Sequence, residues 1–274
     1  MRTLVIALLA LGVAAGATAG PAPDKDALWA AAENGDLATV TAHLASGGSV
    51  NADDDEKLTL LNWAAYGGSL DVVKLLVAKG ADVNAHTNEK AWTPLMNAAN
   101  QGFALVVGYL LDHGADLNAL SADGLSALSF AAMKQRPDVV RLLLQRGADG
   151  GNALRAMESK KDAAAIRLLV ESGVSVDATP RQKLMWFHPG ETALFHAAYD
   201  NQLELVTLLL NLGANPNLSS PEGGNMSAPL LLAAYHCNRA MIDALLAHGA
   251  SRASAARCGA STARWSSGSA SPTT

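Results

Sequence analysis

Residues 93–120 read TPLMNAANQGFALVVGYLLDHGADLNAL, a stretch that predicts two helices and the turns that end them. Thr93 is a suitable N-cap, and Pro94 suits the first helical position because that position needs no amide proton. Gly102 allows a turn into a second helix, whose aliphatic residues have the i, i+3, i+4 spacing of a buried stripe. Gly114 ends this helix in the left-handed conformation. The stretch therefore predicts one helix-turn-helix unit followed by a hairpin.

The same pattern recurs along the chain at a nearly constant interval. Six Ala-Ala pairs follow a leucine in this pattern, and their spacings are 33, 34, 33, 66 and 36 residues. The pairs are Ala31/Ala32, Ala64/Ala65, Ala98/Ala99, Ala131/Ala132, Ala197/Ala198 and Ala233/Ala234. A period near 33 residues predicts a solenoid, in which each unit buries its apolar face against its neighbours.

Glycines at the ends of the second helices locate a seventh unit inside the 66-residue gap. They fall at Gly47, Gly80, Gly114, Gly147, Gly173, Gly213 and Gly249, so the fifth unit is shortened and a longer insertion follows it. The predicted domain covers residues 20–250, with units at approximately 26–53, 59–86, 93–120, 126–150, 152–178, 192–218 and 227–250. The expected fold class is all-α.

The two ends of the chain differ in composition from the repeats. Residues 1–19 combine one basic residue, an apolar run and a small-residue Ala-Thr-Ala site, which predicts a cleavable signal peptide rather than a membrane anchor. We therefore expect a periplasmic or secreted protein. Residues 251–274 are rich in Ser, Ala and Arg, and they predict a disordered tail. Whether Cys237 and Cys258 form a disulfide stays open.

Charge and composition narrow the class of partner. Residues 20–250 contain 16 Lys and Arg against 25 Asp and Glu, a net charge of −9, and such a surface repels nucleic acid. No stretch after the signal peptide is long and apolar enough to predict a membrane span. We expect a monomer that binds neither nucleic acid nor membrane.

The motifs TPLMNAA (residues 93–99), GADVNA (80–85) and GADLNA (114–119) resemble those of the ankyrin-repeat family. The resemblance covers about residues 26–251 and implies a solenoid that binds a protein through its hairpin tips and the concave face of its first helices. One departure concerns the histidine that follows the leucine of the family's TPLH motif. Its hydrogen bonds are not expected here, because this chain has Trp29, Asn62, Met96, Ser129, Phe195 and Leu231 at that position.

Two rows of residues match the family's groove-lining positions, and both are candidates for partner binding. The row before the helix cap consists of Leu58, Trp92, Leu125, Glu191 and Met226, and the row after the alanine pair consists of Tyr66, Asn100, Met133, Tyr199 and Tyr235. Aromatic residues and methionine often supply interface energy, although packing between adjacent hairpins is the alternative role. Trp186 and Phe187, in the insertion after the fifth unit, are candidates for either role.

Nothing in the sequence has the pattern of a catalytic, metal or cofactor site. The histidines lack metal-ligand spacing, and no nucleophile elbow or phosphate-binding glycine loop is found. The acidic run at residues 53–56 lacks the alternating ligands of a calcium loop. We therefore expect a non-catalytic binding protein without cofactors. The alternative functions are an inhibitor or immunity protein, or an accessory factor, for a periplasmic enzyme.

Overall fold

The computed structural model describes residues 25–55, 57–87, 90–181, 190–220 and 228–251. These residues form seven helix pairs and no strand, which confirms the all-α prediction. The helices are α1 Lys25–Asn34, α2 Leu37–Ala45, α3 Leu60–Gly67, α4 Leu70–Ala78, α5 Pro94–Gln101, α6 Ala104–Asp112, α7 Ala127–Met133, α8 Pro137–Gln145, α9 Gly150–Ser159, α10 Ala163–Glu171, α11 Ala193–Tyr199, α12 Leu203–Asn211, α13 Pro229–Tyr235 and α14 Arg239–Ala247.

Several predictions concern residues outside the described ranges. The expected signal peptide at residues 1–19, Cys258 and all of the tail except Ser251 lie there, as do Trp186, Phe187 and Met226. Within the ranges that the structure describes, every helix is too short or too polar to cross a membrane.

The helices form two layers. In the first layer each odd-numbered helix packs on the next one, from α1 on α3 through to α11 on α13. In the second layer α2 packs on α4, α4 on α6, α6 on α8, and α12 on α14. The six alanine pairs of the first layer lie mostly in the core, where small side chains let the helices approach closely. Repeated residue types therefore occupy repeated positions between neighbouring units.

Side-chain caps start most of the first helices. The hydroxyls of Thr59, Thr93, Ser126 and Thr192 each accept a hydrogen bond from the backbone N–H three residues later. Pro94 occupies the first turn of α5, and Gly102 ends that helix with a φ of +94°. These observations confirm the start and end predicted for this helix. Caps of this kind satisfy backbone donors that have no partner within the helix.

Asparagines in the hairpins connect successive units, a role that the sequence analysis did not assign to them. The Asn84 Oδ1 atom accepts a hydrogen bond from the Asp116 N–H at 2.8 Å, and its Nδ2 donates to the Gly114 carbonyl at 3.1 Å. Equivalent Oδ1 bonds join Asn51 to Asp82, Asn118 to Asp149 and Asn217 to Ser251. In the fifth unit Asp177 takes this role and accepts from the Asn215 N–H. The hairpins are thus tied to one another along the array.

The fifth unit begins differently from its neighbours. Helix α9 starts at Gly150, two residues before the predicted start of the unit, because Asp149 caps it by accepting from the N–H groups of Gly151 and Asn152. A Cβ atom on Gly151 would lie 2.2 Å from the Thr179 carbonyl oxygen. The close approach of this backbone explains why glycine stands here.

Candidate functional site

The first helices and the hairpins border one continuous surface, termed here the groove. An α-helix turns by about 100° per residue, so the residue after each alanine pair lies to one side of the alanine contact with the neighbouring helix. At this position three of the chain's four tyrosines are exposed: Tyr66 by 38%, Tyr199 by 59% and Tyr235 by 66%. The two most exposed belong to α11 and α13, which pack on each other. The groove therefore has an aromatic end in its last two units.

Contacts to the neighbouring rings and backbone hold the C-terminal tyrosines in place. The Tyr199 ring stacks beside Phe195 with centroids 6.4 Å apart, and the Tyr199 carbonyl accepts a hydrogen bond from the His236 Nε2 atom at 2.8 Å. His236 in turn lies against Tyr235, with centroids 5.4 Å apart. His236 therefore contacts both the Tyr199 backbone and the Tyr235 ring, and it connects the adjacent helices that carry the two tyrosines.

The centre of the groove is less accessible. Asn100 is buried and Met133 is half-buried against the core. In the row before the caps, Leu125 is buried, and Leu58 is half-buried. Trp92 packs its ring on Phe130 at a centroid distance of 4.4 Å. A partner would contact little of Leu125 or Asn100, whereas Trp92 has a packing role between units.

A buried ionic cluster between the fifth and sixth units was missed in the sequence analysis. Arg155 and Glu158 on α9 are each 1% exposed, and the Arg155 Nη1 atom donates to the Glu158 carboxylate. Beside them the His196 Nε2–H donates to the buried Glu191 carboxylate at 2.5 Å, and the Ser220 hydroxyl donates to the other Glu191 oxygen at 2.9 Å. Arg155, Glu158, Glu191 and His196 are termed the ionic cluster.

Burial dominates the electrostatics of the ionic cluster. It raises the pKa of Glu158 to about 7, against the opposing effect of the Arg155 charge. The pKa of His196 is lowered, first by burial and then by Arg155. Two charged residues, Arg155 and Glu158, within the first helix of the fifth unit were the available sequence signal. Pairing compensates in part for burying these charges in the core. In the part of the chain that the structure describes, no group of three or more His, Cys, Asp or Glu is arranged to hold a metal ion.

Comparison with known proteins agrees with this architecture. The family model described as "Ankyrin repeats (3 copies)" matches residues 2–87, 79–153 and 153–256. The crystal structure of the human ASB11 ankyrin repeat domain superposes with a TM-score of 0.54 at 28% identity, over 82% of this chain and 98% of that one.

Curated relatives match over a small part of their own length. Palmitoyltransferase AKR1 of Lachancea kluyveri is 29% identical over 72% of this chain and 28% of that protein, which is matched through its ankyrin region. Ankyrin repeat and KH domain-containing protein mask-1 of Caenorhabditis elegans is 30% identical over 76% of this chain and 8% of that protein. The chain therefore spans less than a third of the length of these relatives. The family model and the solved structure cover most of the chain, which belongs to the ankyrin-repeat family.

Proposed function

We propose that this protein is an exported, non-catalytic module that binds a protein partner through its groove and hairpin tips. The observation that carries the proposal is the exposure of Tyr66, Tyr199 and Tyr235 at one repeat position. Tyrosine supplies a large amphipathic contact area at a low cost in side-chain entropy, and it is enriched among residues that dominate binding energy. The proposed module acts as a monomer and needs no cofactor.

Placement on adjacent helices strengthens the case for the C-terminal tyrosine pair. Tyr199 and Tyr235 lie at the ends of helices whose alanine pairs pack in the first layer, and His236 bridges them. Two tyrosines on adjacent helices offer a partner a large aromatic contact area. Tyr66, at the other end of the groove, contacts Trp63 edge to face at 6.2 Å and extends the aromatic surface.

Affinity capture from periplasmic or medium extract of the source cells tests the role of the groove. We expect a Tyr199→Ala/Tyr235→Ala variant to lose a partner that the parent chain captures in stoichiometric amounts. The matched control is Leu105→Ala, because Leu105 is 77% exposed but belongs to α6 in the second layer. Equal loss in the control, or capture that survives the tyrosine substitutions, would contradict binding through this part of the groove. Unchanged helicity by circular dichroism shows that each variant is folded.

Export rests on the predicted signal peptide at residues 1–19. Expression with a C-terminal tag, followed by cell fractionation and mass spectrometry, tests it directly. We expect the tagged protein outside the cytoplasm with Gly20 as its first residue. A cytoplasmic protein that retains Met1 would contradict export without affecting the proposed groove.

An inhibitor or immunity protein, or an accessory factor for a periplasmic enzyme, is the narrower alternative. The net charge of −9 over residues 20–250 favours it, because an acidic surface attracts a basic target and speeds the encounter. Once a partner is captured, its enzymatic activity with and without this protein separates the three cases. Loss of activity indicates an inhibitor, protection indicates an accessory factor, and no change leaves only the general binding function.

A further inference from the structure

A cavity of about 450 Å³ opens at the N-terminal end of the groove, between α1 and the hairpin at residues 53–59. Its volume lies within the roughly 300–1,000 Å³ that is typical of ligand pockets. The cavity is lined by Asp26, Trp29, Ala30, Glu33, Asp54, Asp55, Leu58 and Trp63. It is termed the N-terminal pocket.

The charge of this pocket has one sign. Four of its lining residues carry carboxylates, and its lining includes no Lys or Arg among the described residues. Asp26, Glu33 and Asp55 form no ion pair within the described ranges. The nearby Lys57 is held by Asp53, with its Nζ atom 2.9 Å from the carboxylate. Asp26, Glu33 and Asp55 therefore give the pocket negative charge that no ion pair within the described ranges neutralises.

Two indole rings supply the apolar part of the pocket. Trp29, a buried residue of α1, and the half-buried Trp63 both line it. The Trp63 Nε1–H donates to the Asp54 Oδ2 atom at 2.9 Å, which places an indole directly beside a carboxylate. Flat aromatic surface next to negative charge attracts cations through both the ring quadrupole and the carboxylate.

The hairpin side of the pocket is held in shape before any ligand binds. The Asp54 N–H donates to the Leu58 carbonyl at 3.0 Å, and the Leu58 N–H donates to the Asp54 Oδ1 atom at 2.9 Å. Asp54 therefore fixes both the hairpin backbone and the Trp63 indole. A site built in this way loses little conformational freedom when it is occupied.

We propose that the N-terminal pocket binds an arginine side chain of the protein partner. This inference rests on the proposed function, since it assigns a chemistry to one end of the same groove. A guanidinium group is planar and stacks on an indole, while its fork of N–H donors matches carboxylate oxygens. A lysine ammonium makes the charge interaction but lacks the stacking surface. The pocket therefore selects arginine over lysine.

Binding of blocked tripeptides to the full chain tests the pocket without knowledge of the partner. The probes are Ala-Arg-Ala, Ala-Lys-Ala and the neutral Ala-Gln-Ala, followed through the indole N–H resonances, with Trp63→Phe used for assignment. We expect the arginine peptide to shift the Trp63 resonance, to bind roughly tenfold more tightly than the lysine peptide, and to weaken as salt is added.

A charge-neutral variant and a matched control complete the experiment. Glu33→Gln/Asp55→Asn removes two carboxylates from the pocket, and we expect it to weaken arginine binding by roughly tenfold or more. Asp123→Asn/Glu204→Gln changes the net charge equally at two exposed sites outside the pocket, and its affinity should match the parent. No shift with the arginine peptide, equal binding of the neutral or lysine peptide, or equal affinity in both variants would overturn the proposal. The first outcome includes the case in which the chain's own N-terminal residues fill the pocket.

The outcomes distinguish this proposal from the proposed function. If the tripeptide does not bind while the Tyr199→Ala/Tyr235→Ala variant still loses the captured partner, the groove function stands and the arginine site fails. If the tripeptide binds while capture is independent of the tyrosines, the arginine site stands and the proposed use of the tyrosine groove fails.

Discussion

Helices α7 and α9 occupy neighbouring first-layer positions, yet they fill the core in opposite ways. Each is followed by a residue with left-handed φ, Gln135 and Lys161, which aligns the two helices with an offset of 26 residues. Glu158 then stands in the place of Ala132, and Arg155 stands in the place of Ser129. All four residues are buried. These two repeat positions are buried, and they accept either small side chains or two charged side chains that pair with each other.

The two solutions differ in what they cost. Ser129 and Ala132 bury little surface and no charge, whereas Arg155 and Glu158 lose their hydration and replace it only with contacts to each other and to nearby groups. The raised pKa of Glu158, to about 7, shows that desolvation outweighs the attraction of Arg155 at that carboxyl. The comparison predicts that the fifth unit is the most sensitive to loss of one charge and to pH.

The largest expected effect follows from removing one member of this pair. Glu158→Leu leaves the Arg155 charge buried without its main counter-ion and should lower the free energy of unfolding by about 3–5 kcal/mol. Arg155→Met/Glu158→Leu, which converts α9 to an apolar helix like α7, should recover most of that loss. Urea unfolding at pH 8, where Glu158 is ionised in the folded chain, followed by circular dichroism at 222 nm, measures both variants against the parent.

The control for this prediction is an ion pair with the same spacing on the surface. Asp138 and Arg141 on α8 are also three residues apart, but both side chains are mostly exposed. Asp138→Ala should therefore cost at most about 1 kcal/mol. Similar losses in Glu158→Leu and Asp138→Ala would show that burial does not separate the fifth unit from its neighbours.

The next effect is a pH dependence that α7 has no group to produce. In the folded chain Glu158 stays protonated up to a pH of about 7, whereas in the unfolded chain it ionises near 4.5. The unfolded state therefore loses its proton first, and the stability from Glu158 falls by about 3 kcal/mol as the pH rises from 4.5 through 7. The difference in unfolding free energy between the parent and Glu158→Gln, measured from pH 4.5 to 8, should show this fall.

His196 changes the free energy of unfolding with pH in the opposite direction. Because the parent and Glu158→Gln both contain His196, its contribution cancels in the difference between them. Its pKa is lowered in the folded chain, so the unfolded state gains a proton first as the pH falls through 6.5. Stability from His196 is thus lost on acidification, in the parent and in the variant alike. Parallel stability curves for the two proteins would contradict the assignment of a raised pKa to Glu158.

A smaller effect is expected at the start of the fifth unit. Gly151→Ala would bring a Cβ atom to 2.2 Å from the Thr179 carbonyl oxygen, and backbone must move to admit it, at a cost of about 1–3 kcal/mol. Gly108→Ala in α6 is the control, because its nearest neighbour would be a Leu142 methyl group 4.0 Å away. This change should be neutral or stabilise the protein by up to about 1 kcal/mol. Thermal midpoints of the two variants should move in different directions.

The smallest expected effect comes from removing one of the side chains whose hydrogen bonds join successive hairpins. Asn84→Ala removes the bonds to the Asp116 N–H and the Gly114 carbonyl, and Asp177→Ala removes the bond to the Asn215 N–H. Each loss should cost about 1 kcal/mol, since these groups are exposed and water replaces the lost bonds in part. Asp177→Asn should cost less than about half of that, because the amide oxygen still accepts. Urea midpoints test whether the fifth unit's link is equivalent to the regular ones.

Much of the fold was predictable because its causes are local. The cap at Thr93, the first-turn Pro94 and the left-handed Gly102 act within one helix, so their residue types suffice to place it. The family's TPLH histidine is absent, and Asn62 shows how one unit compensates. Its side chain completes a capping box with Thr59 and donates to the Trp92 carbonyl at 3.4 Å. This bond between units was not expected from sequence.

The candidate site was predictable only as a set of positions. Residue types and spacing identified Tyr199, Tyr235 and Asn100 as equivalents, but the structure exposes the two tyrosines and buries Asn100. The exposure of each residue depends on the side chains that neighbouring units place around it. Those side chains differ from unit to unit, so the repeat pattern alone does not predict exposure. The ionic cluster is a similar case, since the sequence shows Arg155 and Glu158 three residues apart but does not show that neighbouring units bury both of them.

By itself the sequence determined the period, the helix pairs, the caps and the family, because each depends on contacts within one unit or on a spacing that recurs. Only the tertiary structure decided which groove residues reach solvent and which hairpin atoms tie the units together. It also decided how a buried arginine and glutamate replace the small residues of a regular helix. The first two features depend on contacts between units, and the third depends on how far neighbouring units exclude water from Arg155 and Glu158, because burial weakens the screening of charge by water.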